Sequence, residues 1–202
     1  MIAVLDYGIG NLRSAQKALE HVGADARLTA DPAEVAAADG VVLPGVGAFG
    51  PCIDALRAAG LEAPARQAVE AGTPFLGICV GMQMLYEGSE EDPATPGMGV
   101  LEGRVRRLPD GVKRPQMQWN KLDRRAASPM FDGIDDPSWF YFVHSYAPET
   151  STDVVATCDY GGPVVAAVAR GRLWATQFHP EKSSATGLRL LTNFVVAATG
   201  SG

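Results

Sequence analysis

Cysteine and histidine are scarce in this 202-residue chain, with three of each. Cys52, Cys79 and Cys158 form an odd set at no metal-like spacing, which argues against a disulfide framework or a zinc site and fits a reduced, cytoplasmic setting. Charge is modest too, at 20% of residues and a net −6. Basic residues gather only at Arg104-Arg106-Arg107 and Arg124-Arg125, so there is no stripe to hold nucleic acid. No apolar run reaches the length of a membrane span. The opening Met-Ile-Ala-Val-Leu-Asp lacks the basic leader of a signal peptide and reads as a core strand. What remains is an ordinary globular composition, 47% hydrophobic, long enough for one sizeable core and short for two. One α/β domain over residues 1–202 is expected.

The stretch that is present and unusual is Phe75-Leu76-Gly77-Ile78-Cys79-Val80-Gly81-Met82-Gln83. It reads as a buried strand, a sharp turn and the start of a helix. A cysteine sits at the apex with a glycine two residues away on each side, the G-x-C-x-G form of a nucleophile elbow. A nucleophile on so tight a turn leaves no room for flanking side chains. The thiol then projects from the sheet edge, and the N-terminal end of the following helix favours its thiolate.

The remaining chain alternates in a way that predicts a mostly parallel sheet covered by helices on both faces. Strands are expected at Ile2 to Leu5, Ala26 to Thr29, Val41 to Leu43 and Pro74 to Ile78. Helices are expected over Leu12 to Val22, at Asp31-Pro32 with Asp31 as N-cap, and over an Ala-rich stretch broken by Gly60 and Pro64. After about Glu87 the texture changes. Short β-like runs at Arg104-Leu108, Trp139-Val143, Val154-Thr157 and Val164-Ala169, parted by turn signals, predict antiparallel strands added in the C-terminal half. A last strand, Leu173 to Phe178, runs into His179-Pro180-Glu181-Lys182. A helix over Thr186 to Ala198 closes the chain.

A thiol nucleophile needs a base, and the base needs an orienting group. His21 lies near the end of the first helix, where a contact with the helix dipole explains it. His144 ends an apolar strand. His179 ends the last strand, two residues before Glu181. In extended chain those two side chains point to the same side, so Glu181 would hold one ring nitrogen and leave the other for Cys79. For an oxyanion, the Val80 N–H at the start of the elbow helix is one donor, and Gly45-Val46-Gly47 after its strand offers a second. A competing reading of that loop is Gly45-x-Gly47-x-x-Gly50 as a dinucleotide fingerprint. Its glycines follow the second predicted helix rather than the first, and Pro44 crowds the turn.

Gly77-Ile78-Cys79-Val80-Gly81-Met82-Gln83 with His179-Pro180-Glu181 resembles the class I (triad) glutamine amidotransferases. Asp6-Tyr7-Gly8-Ile9-Gly10-Asn11-Leu12, Leu43-Pro44-Gly45-Val46-Gly47-Ala48-Phe49-Gly50, Met117-Gln118-Trp119-Asn120, Tyr141 to Tyr146 and His179 to Ser183 narrow the resemblance to the glutaminase subunits of imidazole glycerol phosphate synthases, in histidine biosynthesis. One departure is Gln118, where that family usually has glycine. The resemblance implies Cys79, His179 and Glu181 as catalytic triad and no cofactor. It implies Val80, Gly45, Val46 and Gly47 around the oxyanion, and Gln83, Glu91, Ser145 and Tyr146 as glutamine-binding residues. It also implies a cyclase subunit, a (β/α)8 barrel, as heterodimer partner and ammonia acceptor. Asn11, Met117, Trp119, Tyr141 and Lys182 would face it. Two other readings stay open: a triad amidotransferase of another pathway, and a non-catalytic or redox-sensing α/β protein with an elbow cysteine.

Overall fold

The computed structural model describes residues 1–200. Its first half alternates strictly. Strand β1 (Ile2–Leu5) leads to helix α1 (Leu12–His21), β2 (Ala26–Thr29), α2 (Pro32–Ala36), β3 (Gly40–Gly45), α3 (Phe49–Ala58), α4 (Glu62–Glu70), β4 (Phe75–Cys79) and α5 (Val80–Met84). The four strands are buried almost throughout, as expected where helices cover both faces. Asp31 caps α2 by accepting the Ala33 N–H at 2.8 Å, and Pro32 fills the first helical position. The Ala-rich stretch divides at Gly60, whose φ of +70° ends α3. Pro64 does not break it. It lies in the first turn of α4, where its missing N–H has no helical partner to lose.

The second half adds β5 (Gly88–Ser89), β6 (Arg104–Arg107), β7 (Gln116–Lys121), β8 (Asp123–Arg124), β9 (Trp139–His144), β10 (Tyr146–Pro148), β11 (Val154–Asp159), β12 (Pro163–Arg170), β13 (Leu173–Thr176) and α6 (Ser184–Thr199). The main sheet has the order β2-β1-β3-β4-β13-β12-β11-β8. From β2 to β13 neighbours run parallel, and from β13 to β8 antiparallel. Helices α1 and α6 pack together on one face. Helices α2 and α4 pack together on the other, as right-handed crossovers require. The added strands do not all join this sheet: β10-β6-β5 and β7-β9 form two small sheets of their own. Gln118 lies within β7, opposite Phe142, so the departure from glycine leaves a regular ladder.

Strands β3, β4 and β13 lie side by side at the middle of the sheet. Gly45 stands opposite Cys79, and Thr176 opposite Ile78. The C-terminal ends of neighbouring parallel strands therefore gather Gly45, Cys79 and the segment leading to His179 on one edge, where α/β sheets place their sites.

The close seating of α5 on β3 depends on Gly81. A Cβ on that residue would stand 1.8 Å from the Leu43 carbonyl oxygen, backbone that cannot move aside. Gly81→Ala should destabilise the fold by at least about 3 kcal/mol. Gly99→Ala, where φ is +62° but nothing lies within 4 Å, should cost only about 1 kcal/mol. Urea unfolding compares the two. Similar costs would show that the backbone approach at Gly81 is unimportant.

Candidate active site

Cys79 ends β4 with φ 54° and ψ −111°, a conformation that side chains other than glycine rarely adopt. The turn is held because Gly77 and Gly81 leave room on both sides. A Cβ on Gly77 would press within 3.1 Å of the Met82 backbone. The helix that follows is only a turn and a half long. What it offers the elbow is the unpaired N–H groups of its first turn rather than a long aligned dipole.

His179 does not continue β13, which stops at Thr176. Nor is the chain extended from His179 to Glu181, because Pro180–Lys182 forms a 3-10 turn. That turn, rather than the pleat of a strand, brings the two side chains together. Nδ1 of His179 lies 2.8 Å from Oε1 of Glu181, and both side chains are buried. The turn is anchored on β9. The His179 N–H donates to the Tyr141 carbonyl at 3.0 Å. The Ser183 hydroxyl donates to the His179 carbonyl at 2.6 Å and accepts the Tyr141 N–H at 3.0 Å. Phe178 is clamped between Phe140 and Phe142, with ring centroids 4.1 and 5.6 Å away.

The far nitrogen of His179, Nε2, is buried and meets no aligned hydrogen-bond partner. The Cys79 sulfur therefore acts on it through proximity and charge rather than a straight bond. Burial opposes a charge on His179, but Cys79 and Glu181 outweigh it, and the imidazole is raised to about 9. The group is set to sit as imidazolium beside the Cys79 sulfur.

Two residues that sequence reasoning did not single out complete the surroundings. Gln177 donates its amide N–H to the Cys79 sulfur at 3.6 Å. Its Oε1 accepts from Gln83 Nε2 at 3.0 Å, and the same Gln83 nitrogen donates to the Tyr146 carbonyl at 3.0 Å. The available signal for Gln177 was its place two residues before His179. His144 donates from Nδ1 to the Tyr146 carbonyl at 2.8 Å, while its Nε2 is buried and without a partner. Burial, with the charge of His179 added, pulls its imidazole down to about 4 against the raising effect of that carbonyl.

Cys79, His179, Gln83 and His144 open onto a cavity of about 500 Å3, ample for an amino acid. Cys79, Val80, Val46, Gly47, Gln83, Glu91, Ser145, Tyr146, His179, Asn11 and Lys182 all border it. Gly45 does not. It is buried beneath the elbow, where a Cβ would meet the Gly81 nitrogen at 2.7 Å, so it shapes the loop from below. Glu91 accepts the Phe49 N–H at 2.8 Å, tying its loop to the start of α3. The Ser145 carbonyl accepts the Leu108 N–H, and the Tyr146 carbonyl already holds two donors. The carbonyls of this stretch are thus already engaged within the protein. Met117 and Trp119 lie outside the cavity on β7, 62% and 45% exposed. Tyr141 on β9 meets Trp119 edge to face, 6.1 Å between centroids. Trp139, 50% exposed on the same side, was not foreseen as part of this patch. Among the described residues no helix is long and apolar enough to cross a membrane, and no group of three His, Cys, Asp or Glu could hold a metal ion.

A thiol, a base oriented by a carboxylate and a glycine-bounded loop at one sheet edge define a cysteine-dependent acyl-transfer site. The family model for glutamine amidotransferase class-I matches residues 3–198, and the chain belongs to that family. Solved structures share the fold: a glutamine amidotransferase superposes with TM-score 0.77 over 98% of both chains at 24% identity, and PurLQS from Thermotoga maritima with 0.73 over 96% of both at 19%. Curated relatives narrow the placing. The imidazole glycerol phosphate synthase subunit HisH of Syntrophotalea carbinolica is 51% identical, covering 96% of this chain and 98% of that one. Its counterparts in Synechococcus elongatus and Dehalococcoides mccartyi are 52% and 48% identical, covering 96% and 99% of this chain and 92% and 98% of theirs. Within the class-I family the chain belongs with these HisH subunits.

His144 leads to a pH prediction. Its folded value, about 4, lies below the ordinary 6.5, so the unfolded chain binds the extra proton first on acidification. Stability should fall as pH drops from about 6.5 to about 4, by about 3 kcal/mol from this group. His144→Asn should flatten that limb in urea titrations at a series of pH values. An unchanged slope would assign the acid loss to other groups.

Proposed function

We propose that this chain is the glutaminase subunit of an imidazole glycerol phosphate synthase, hydrolysing glutamine to glutamate and passing the ammonia to a cyclase subunit. The observation that carries the reading is His179, held by Glu181 at 2.8 Å with its other nitrogen free beside Cys79, in a chain half identical to HisH subunits.

The chemistry follows from the charges. The Cys79 thiolate attacks the side-chain amide carbon of glutamine. Negative charge moves to the amide oxygen, where the Val80 N–H and a peptide N–H of the Gly45-Val46-Gly47 loop receive it. The His179 imidazolium gives its proton to the departing nitrogen, and ammonia leaves with cleavage of the C–N bond. A γ-glutamyl thioester remains on Cys79. Neutral His179 then takes a proton from water, whose oxygen attacks the thioester; glutamate leaves and Cys79 is restored as thiolate beside imidazolium. Glu181 keeps the ring in one orientation and tautomer through both halves. Gln177 donates to the sulfur when it carries charge. Gln83, Glu91 and the Ser145-Tyr146 backbone surround the amino-acid end.

Ammonia released into water is protonated and no longer nucleophilic, so the site is useful when a partner covers it. Alternation along β7 and β9 places Met117, Trp119, Tyr141 and Trp139 on one exposed side, the composition of an interface core. Asn11 and Lys182 border the cavity. A (β/α)8 cyclase in a heterodimer is the occupant this reading assigns to it.

Cys79→Ala should abolish glutamine-dependent synthesis in the reconstituted complex and leave synthesis from ammonium salts intact. Loss of both would make Cys79 structural. Trp119→Ala should weaken binding to the cyclase subunit about 30-fold by titration calorimetry. Unchanged affinity would place the interface elsewhere.

A further inference from the structure

Under the cavity lie two buried donors that the mechanism above does not use. Tyr7 follows β1, and its hydroxyl donates to the Pro44 carbonyl at 2.5 Å. Cys52 lies in α3, and its thiol donates to the Val46 carbonyl at 3.3 Å. These two carbonyls belong to the peptides on either side of a single peptide, Gly45–Val46. The Tyr7 hydroxyl lies 3.1 Å from the point where a Cβ on Gly45 would stand, so it packs directly under that link. Burial pushes the Tyr7 phenol up, and it pushes the Cys52 thiol up to about 11. Both groups keep their protons, and so remain donors, across the neutral range.

A peptide plane turns by coupled rotation about the bonds on its two sides. When both neighbouring planes are pinned, the plane between them is the one soft element left. Glycine at its N-terminal side removes the steric barrier to that turn.

We propose that Tyr7 and Cys52 are positioning residues for glutamine hydrolysis: by holding the carbonyls of Pro44 and Val46 they confine rotation to the Gly45–Val46 peptide and aim its N–H at the oxyanion. The inference rests on the reading of this loop as an oxyanion donor. Without the two pins, neighbouring peptides share the rotation and the N–H is spread over many directions. A hydrogen bond weakens steeply with misdirection, and oxyanion stabilisation weakens with it.

The test uses the complex with the cyclase subunit and three variants: Tyr7→Phe, Cys52→Ala and Cys52→Ser. Tyr7→Phe and Cys52→Ala should each lower kcat for glutamine about 10-fold. KM for glutamine should stay within about twofold. Cys52→Ser, whose hydroxyl donates to the same carbonyl, should recover most of the loss. Alkylation of Cys79 by iodoacetamide, followed on the Cys79 peptide by mass, should proceed at the wild-type rate, because it forms no oxyanion. Normal kcat in Tyr7→Phe and Cys52→Ala, beside an active wild type, overturns the inference and leaves the proposed function standing. So does a lowered melting temperature without a change in kcat, or a parallel loss of kcat and alkylation rate, which would put the damage in the triad. A wild-type complex that cannot hydrolyse glutamine removes the proposed function and the inference together.

Discussion

Everything at this site depends on backbone meeting backbone where the elbow crosses β3. Gly81 sits against the Leu43 carbonyl with no space for a Cβ, and Gly45 sits under Gly81 with little more. Neither contact is strong. Their importance is that they are short, so α5 can leave β4 only in one direction. Cys79 is driven to positive φ, and its side chain is carried out of the sheet. The strain at Cys79, of the order of 1–3 kcal/mol, is sustained because the surrounding strands are buried and cannot relax. A larger residue on either side would allow a gentler turn and lose the projection of the thiol.

Around that turn runs one chain of buried polar groups: Glu181, His179, Cys79, Gln177, Gln83, Tyr146 and His144. It ties the end of β13, the start of α5 and the β9–β10 corner together. Polar groups inside a protein are costly unless each finds a partner, and this chain satisfies most of them in sequence. Three atoms of the chain stay without an aligned partner, Oε2 of Glu181 and Nε2 of His179 and of His144, and the two histidines border the cavity. The two imidazoles are driven in opposite directions by their neighbours. His179 has a carboxylate and a sulfur to favour its charge, and His144 has only a carbonyl. Two histidines at one cavity thus divide into a proton carrier and an acceptor that stays neutral at neutral pH.

Much of this was legible beforehand, for reasons that differ by residue. The elbow could be read because tight turns demand glycine at fixed positions, and Gly77 and Gly81 carry that demand in the sequence. The parallel half could be read because strands covered on both faces are continuous apolar runs. The His179–Glu181 pair was found, but on the wrong geometry. An i, i+2 spacing fits a strand, while Pro180 and the clamp on Phe178 make a 3-10 turn. Pro64 was misjudged because a proline in the first turn of a helix looks the same in sequence as one that breaks it. Gln177 carried only its place two residues before His179, and His144 no pattern of its own, since their roles arise from partners 94 and 98 residues away or from a carbonyl that only the fold supplies. The separation of β7 and β9 into their own sheet was equally hidden. Which strand pairs with which is a long-range matter that alternation along one strand does not record.

That small sheet joins the two halves of the functional reading. β9 turns Phe140, Phe142 and His144 inward and Trp139 and Tyr141 outward. Through its backbone at Tyr141 it also accepts the His179 N–H and donates to Ser183, which in turn holds the His179 carbonyl. The aromatic surface and the imidazole base are therefore attached to opposite sides of one six-residue strand. A body seated against Tyr141 presses on the segment that fixes where His179 stands. Such a strand cannot shift as far as the length of a hydrogen bond without moving the base relative to Cys79, because the elbow is held independently on β3 and β4. The surface and the chemistry are mechanically in series, linked by one direct hydrogen bond and by a second path of two through Ser183.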